Sequence, residues 1–157
     1  MSDARFDDGA DAPLRLEAGD GDDLAVLSAL LQDAVFPARE MRYLRRTRRF
    51  VLLVNRFRWE DLSAAEAGRR PYERVRTMLL AEDVTAVRTM GIDRRGEAAV
   101  LSILAAAFAA GPDGTGTLTV TLAGDGAVAL SVEALEVTLQ DVTRPYRAAS
   151  GKVPSHG

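Results

Sequence analysis

Thr117-Leu118-Thr119-Val120-Thr121-Leu122-Ala123-Gly124-Asp125-Gly126-Ala127-Val128-Ala129-Leu130-Ser131-Val132 is the stretch that decides the fold class. Leu118, Val120 and Leu122 alternate with threonines, and Val128, Leu130 and Val132 alternate with small residues. A period of two puts one apolar set on one face of a strand. Gly124-Asp125-Gly126 between the two runs supplies residues that tolerate positive φ, so the stretch predicts a β-hairpin.

The same period extends in both directions. Toward the C-terminus the apolar parity flips after Glu133-Ala134, to Leu135, Val137 and Leu139, as one extra residue in a bulge would produce. Toward the N-terminus, Asp93-Arg94-Arg95-Gly96 and Gly111-Pro112-Asp113-Gly114 read as turns. Residues 98–109, apolar on both faces, and 73–81 and 84–92 read as strands, as do 41–44 and 50–59. Within 50–59, Val51 and Leu53 are expected to face the core with Phe57 and Trp59, and Arg56 and Arg58 to be solvated. Leu62 to Pro71 reads as a loop or a short helical turn. One helix is expected near the N-terminus, with Asp20, Asp22 and Asp23 at its start and Leu24, Leu27, Leu31, Ala34 and Val35 at helical spacing before Pro37.

These elements predict an α+β fold of one N-terminal helix and about six to eight mostly antiparallel strands, β-dominant. Residues 52–57 can be laid on 103–108 and 77–83 on 119–125, which would make two similar β-halves. The expected organisation is an acidic tail over 1–13, one globular domain over 14–142 and a C-terminal tail over 143–157. At 157 residues one core is large enough to fold without staples. Zero cysteines exclude disulfides, thiolate nucleophiles and Cys-ligated metals. No apolar run is long enough to span a bilayer, and the acidic N-terminus does not resemble a secretory signal, so a cytoplasmic protein is expected.

Charge is segregated along the chain. Residues 1–23 hold eight acids against Arg5 and Arg15, whereas residues 39–58 hold eight arginines against Glu40 alone. Arg42, Arg45, Arg46, Arg48, Arg49, Arg56 and Arg58, with Tyr43, Phe57 and Trp59, form a candidate polyanion site, because guanidinium forks suit phosphates and aromatic faces suit bases. Arginine is also the chain's habitual base, 19 of 20 basic residues, which favours an ordinary solvated hairpin.

Catalytic chemistry is poorly supplied. The one histidine, His156, is next to the last residue, and no glycine-rich phosphate loop lies between a strand and a helix. Glu60-Asp61 and Glu133 with Glu136 are carboxylate pairs that a divalent-metal enzyme could use, though turns and strand edges account for them. No cofactor is expected. The reading is a non-enzymatic binding or interaction module, with a protein partner, its own copy or a nucleic acid as partners and no membrane. The alternatives are nucleic-acid or polyanion binding through the Arg-rich hairpin, and, least supported, a carboxylate enzyme.

Residues 31–35 (LQDAV), 41–44 (MRYL), 48–50 (RRF), 55–60 (NRFRWE) and 126–141, with Val132-Glu133-Ala134-Leu135-Glu136, resemble domain-of-unknown-function family 2948, small mostly alphaproteobacterial proteins. The resemblance spans about residues 14–142. It implies a stand-alone bacterial protein and carries over no catalytic or ligand residue.

Overall fold

A computed structural model of the chain describes residues 13–69, 71–92, 99–147 and 153–154. The hairpin read first in the sequence is β8 (Gly116–Leu122) and β9 (Ala127–Val132), in the register Leu118↔Leu130 and Val120↔Val128. Gly124 and Asp125 both take positive φ, 81° and 66°, within the short loop 123–125 that this register leaves between Leu122 and Gly126.

Before this hairpin come β1 (Arg15–Ala18), α1 (Gly21–Leu31), β2 (Val35–Pro37), β3 (Met41–Leu44), β4 (Arg49–Phe57), α2 (Leu62–Ala67), β5 (Glu73–Ala81), β6 (Val84–Met90) and β7 (Val100–Ala110). After it come β10 (Val137–Asp141) and β11 (Tyr146–Arg147). The strands form one antiparallel sheet in the order β1-β10-β5-β4-β2-β7-β8-β9-β6, with β3 also on β4 and β11 also on β5.

Side chains from distant parts of that order share one core. Phe50, Leu52, Leu79 and Leu139 from one side, and Leu118, Val120, Leu122, Val128 and Leu130 from the other, lie in a single buried cluster with Leu24, Leu27 and Leu31 of α1. The sheet therefore folds over on itself. The hinge is β2, which pairs with β4 at Val35↔Asn55 and with β7 through Val35↔Ser102 to Pro37↔Val100.

The helix starts where Asp20 accepts a hydrogen bond from the Asp23 amide at 2.8 Å, so the capping expectation holds. It also closes an edge: the Ala106 amide donates to Ser28 Oγ (2.9 Å), and Ile103 exchanges backbone bonds with Asp33 and Ala34 (both 2.8 Å). An edge strand left open is a pairing hazard, and here the helix and its exit cover it.

Among the described residues the expected count of one N-terminal helix and six to eight strands is corrected to eleven strands and two α-helices of 11 and six residues, in a β-dominant fold. The additional strands are β1, β2 and β11, of four, three and two residues. Alternation over so few residues carries no signal; their pairing comes from partners far along the chain, as in Leu16↔Leu139. Val35, expected on the helix, lies in β2.

The segments laid on each other, 52–57 with 103–108 and 77–83 with 119–125, fall in the antiparallel pairs β4–β5 and β7–β8, beyond which the pairing differs. β8 pairs with its successor β9, whereas β5 runs on into β6 without pairing to it and takes β4 and β10 instead. The parity flip after Glu133-Ala134 is no bulge within a strand but a crossing from one side of the folded sheet to the other. Residues 133–136 cross beside 82–83, with the Glu133 amide bonded to Asp83 O (3.0 Å) and the Glu82 amide to Glu136 O (2.9 Å). Residues 93–96, read as a turn, residue 98, read as the start of a strand, and residues 1–12, 148–152 and 155–157 of the expected tails, His156 among them, lie outside the described residues.

Strand β4 corrects one core assignment. Phe50, Leu52 and Val54 are buried, while Val51 and Leu53 are half-buried and sit opposite Leu80 and Met78 on the other face. Both faces of β4 are apolar, so alternation could not choose between them. Leu52→Ala should cost about 2–5 kcal/mol and Leu53→Ala clearly less, since only the first empties a closed core site. Urea denaturation of the two variants checks this; equal losses, or a larger loss at Leu53, would reverse the assigned faces.

Candidate anion-binding groove

The inward parity of β4 runs Phe50, Leu52, Val54 and then Arg56, whose side chain is 0% exposed. A buried guanidinium must place all five N–H donors. Nε donates to Thr77 Oγ1 (3.0 Å), and Nη1 donates to Glu60 Oε1 (2.8 Å) and to Phe57 O (3.3 Å). Nη2 donates to Glu60 Oε2 (2.7 Å) and Asp141 Oδ1 (3.0 Å). Asp141 in turn accepts from Thr77 Oγ1 (2.8 Å) and, at Oδ2, from the Leu14 amide (3.0 Å). One cluster thus ties β4, β5, β10 and the entry to β1.

Burial works against the charges of Arg56 and Glu60. The bidentate pairing outweighs it in both, and holds Arg56 above its ordinary pKa and Glu60 below the usual carboxylate range. Arg58 is also buried, between Glu73 and Asp61. Trp59 is half-buried, its Nε1 donating to Gln32 O (3.0 Å) and its ring 4.7 Å from that of Phe57. Four of the ten candidate residues, Arg56, Phe57, Arg58 and Trp59, are therefore held in the interior framework and not on an exposed basic face.

The remaining six lie on β3, β4 and the turn between them. That turn closes with the Arg48 amide on Arg45 O (3.2 Å) and leaves Arg48 at φ 55°. Arg48 grips Glu133 with both Nη atoms (2.7 and 3.3 Å), and Arg49 Nε donates to Glu82 (3.0 Å). Arg42, Arg45 and Arg46 are exposed, and so is Arg39, which the candidate set omitted; among the described residues none of these four has an ion pair. Arg39 precedes the hairpin, in a 3-10 turn, and its place on the same groove follows from the β2–β3 path rather than from local pattern.

The groove lies between β3 and β6. In sheet order β6 is the far edge, yet β6 follows β5 directly in the chain and returns beside the β3–β4 hairpin. Two hydrogen bonds join them at Val84: its amide donates to Arg48 O (2.8 Å), and Tyr43 Oη donates to Val84 O (2.7 Å). Beyond it the strands diverge around a cleft of about 790 Å³, lined by Arg39, Arg42, Tyr43, Arg45, Val87 and Ile92 among others. A second hollow of about 430 Å³ shares Tyr43, Arg45 and Val87 and adds Arg48 and Thr85. A cleft with three uncompensated guanidiniums on its walls favours an anion.

Three of the four candidate carboxylates are engaged elsewhere. Glu60 and Asp61 serve Arg56 and Arg58, and Glu133 serves Arg48. Among the described residues no group of three or more His, Cys, Asp or Glu could hold a metal ion.

The family model described as "Protein of unknown function (DUF2948)" matches residues 14–156, nearly the whole chain. The chain belongs to this family. For this DUF2948 protein no curated protein matches, and no solved structure matches. No helix among its described residues is long and apolar enough to cross a membrane.

Arg56→Met should destabilise the protein by about 3–5 kcal/mol, because it leaves the Asp141 carboxylate buried without its counter-ion. Glu60 titrates lower in the folded protein than in the unfolded chain. Its pairing therefore contributes fully above the ordinary carboxylate range and is lost as pH falls through the folded-state value. The stability gap between the native protein and Glu60→Gln, read from denaturation midpoints, should accordingly close on acidification. A gap that stayed constant from neutral to low pH would contradict the pairing.

Proposed function

We propose that this DUF2948 protein is a non-enzymatic binding module that takes an anionic partner in the groove between β3 and β6. The observation that carries the reading is the division among the eight arginines of residues 39–58. Arg48, Arg49, Arg56 and Arg58 are matched to carboxylates, while among the described residues Arg39, Arg42, Arg45 and Arg46 are not, and three of these four line the cleft of about 790 Å³. A folded protein gains little by leaving like charges together on one rim, since they repel. An anion arriving between them relieves that repulsion and gains charge-assisted hydrogen bonds. The rim arginines suit carboxylate and phosphate alike. The engaged state of Glu60, Asp61 and Glu133 speaks for binding over carboxylate catalysis.

Fluorescence anisotropy with labelled polyglutamate and labelled oligo-dT tests the reading. At least one probe should bind at low salt and weaken as salt rises, by about 0.7 log units per tenfold salt for each phosphate neutralised on a single strand. The triple variant Arg39→Ser/Arg42→Ser/Arg45→Ser should lose binding and keep its denaturation midpoint, because all three side chains are solvated. No binding of either probe at low salt, or binding that the triple variant retains, would overturn it.

A further inference from the structure

We propose that the anionic partner is an extended acidic polypeptide segment that adds as a strand to the free edge of β3. The inference rests on the groove being an anion site and names what occupies it.

Three observations select this occupant. First, the groove wall is a strand edge. β3 is bonded to β4 through Met41↔Leu52 to Leu44↔Arg49 and to no other strand among the described residues, so its second edge presents backbone donors and acceptors to the cleft. A strand edge recognises an extended main chain, whatever the sequence, through ladder hydrogen bonds. Second, the flanking charge chooses among strands. Arginines on an edge repel a second copy of the same edge, which would set Arg42 and Arg45 against their own kind, and admit a strand bearing carboxylates. The hairpin already holds carboxylates in this manner, with Arg48 clamped on Glu133 and Arg49 on Glu82. Leu44, 45% exposed beside Arg45, adds an apolar contact of the kind that a β-branched or aliphatic residue between the acids would cover.

Third, what a single-stranded nucleic acid needs is missing from the walls. Sequence-tolerant binding of single strands uses aromatic faces on which bases stack. Trp59 and Phe57 are packed on each other outside the cleft lining, and Tyr43, the aromatic shared by both hollows, is half-buried with its hydroxyl committed to Val84 O.

The test uses the full chain and a labelled peptide of about ten residues alternating glutamate and threonine, read by anisotropy at low salt. In an antiparallel or parallel ladder only alternate residues of the added strand bond to the host edge, and the others point their N–H groups away. Two N-methylated versions, one methylated at odd and one at even positions, therefore separate main-chain recognition from charge. The unmethylated peptide should bind, one methylated version should lose about tenfold or more, and the other should stay within about threefold. Arg42→Ser/Arg45→Ser should weaken the unmethylated peptide by about tenfold, a change consistent with losing two charge-assisted contacts.

Equal binding of the two methylated versions would overturn strand addition and leave a purely electrostatic site. Binding of oligo-dT with none of the peptide would overturn the peptide assignment while the anion groove stands. No binding of either probe would remove the groove reading and this inference with it.

Discussion

The rest of this structure depends on a positive charge placed where the strand pattern calls for a hydrocarbon. Arg56 continues the inward row of Phe50, Leu52 and Val54, and a guanidinium at that depth is tolerable only with every donor engaged and a counter-ion beside it. That requirement fixes long-range geometry. Asp141 must come from β10, Thr77 from β5, Glu60 from the turn after β4, and the Leu14 amide from the entry to β1. Four chain segments separated by up to 127 positions are brought to one point, in a register where a slip of one residue would expose the charge's partners and bury their neighbours.

Fixing β4, β5 and β10 in this way has a consequence at the opposite end of β4. The two sides of β5 are taken by β4 and β10, so β6 finds no free edge there, and the chain goes on past Ala81 to β6 on the far edge of the sheet. The returning edge touches the β3–β4 hairpin at Val84 and then diverges from it. The groove is the gap left by a sheet that curls back toward itself without closing. Among the described residues its arginines carry no ion pair, while Glu60, Asp61 and Asp141 are committed to the interior and Glu82 and Glu133 to the base of the hairpin.

Much of this was legible in the sequence, and the failures have physical causes. The β8–β9 hairpin, its turn, its register and its buried face could be read because the information is local: alternating residues and glycines beside an aspartate that accepts positive φ. The helix start could be read for the same reason, from an aspartate three residues ahead of the amide that it caps. β1, β2 and β11 could not, because two to four residues carry no period and their partners lie elsewhere in the chain. For the candidate site, charge density marked the segment but could not say which arginines were interior. The parity of β4 contained that information. Phe50, Leu52, Val54 and Arg56 share one face, and the expectation that arginine seeks solvent overrode the alternation that placed it inside. Tyr43 and Trp59 were read as stacking surfaces from their proximity in sequence, whereas their polar atoms are bonded to the backbone at Val84 and Gln32.

The central claim is that one arginine-rich segment divides into two interior arginines that build the sheet, two at the base of the hairpin paired with carboxylates, and four on the rim with no ion pair among the described residues. Hydrogen exchange of arginine side-chain Nε–H groups, followed by NMR on the full chain, measures that division residue by residue. The account predicts that Arg56 and Arg58 exchange far more slowly than free arginine while Arg39, Arg42, Arg45 and Arg46 exchange at close to the free rate. Uniform fast exchange across all of them, with Arg56 no slower than Arg45, would contradict it.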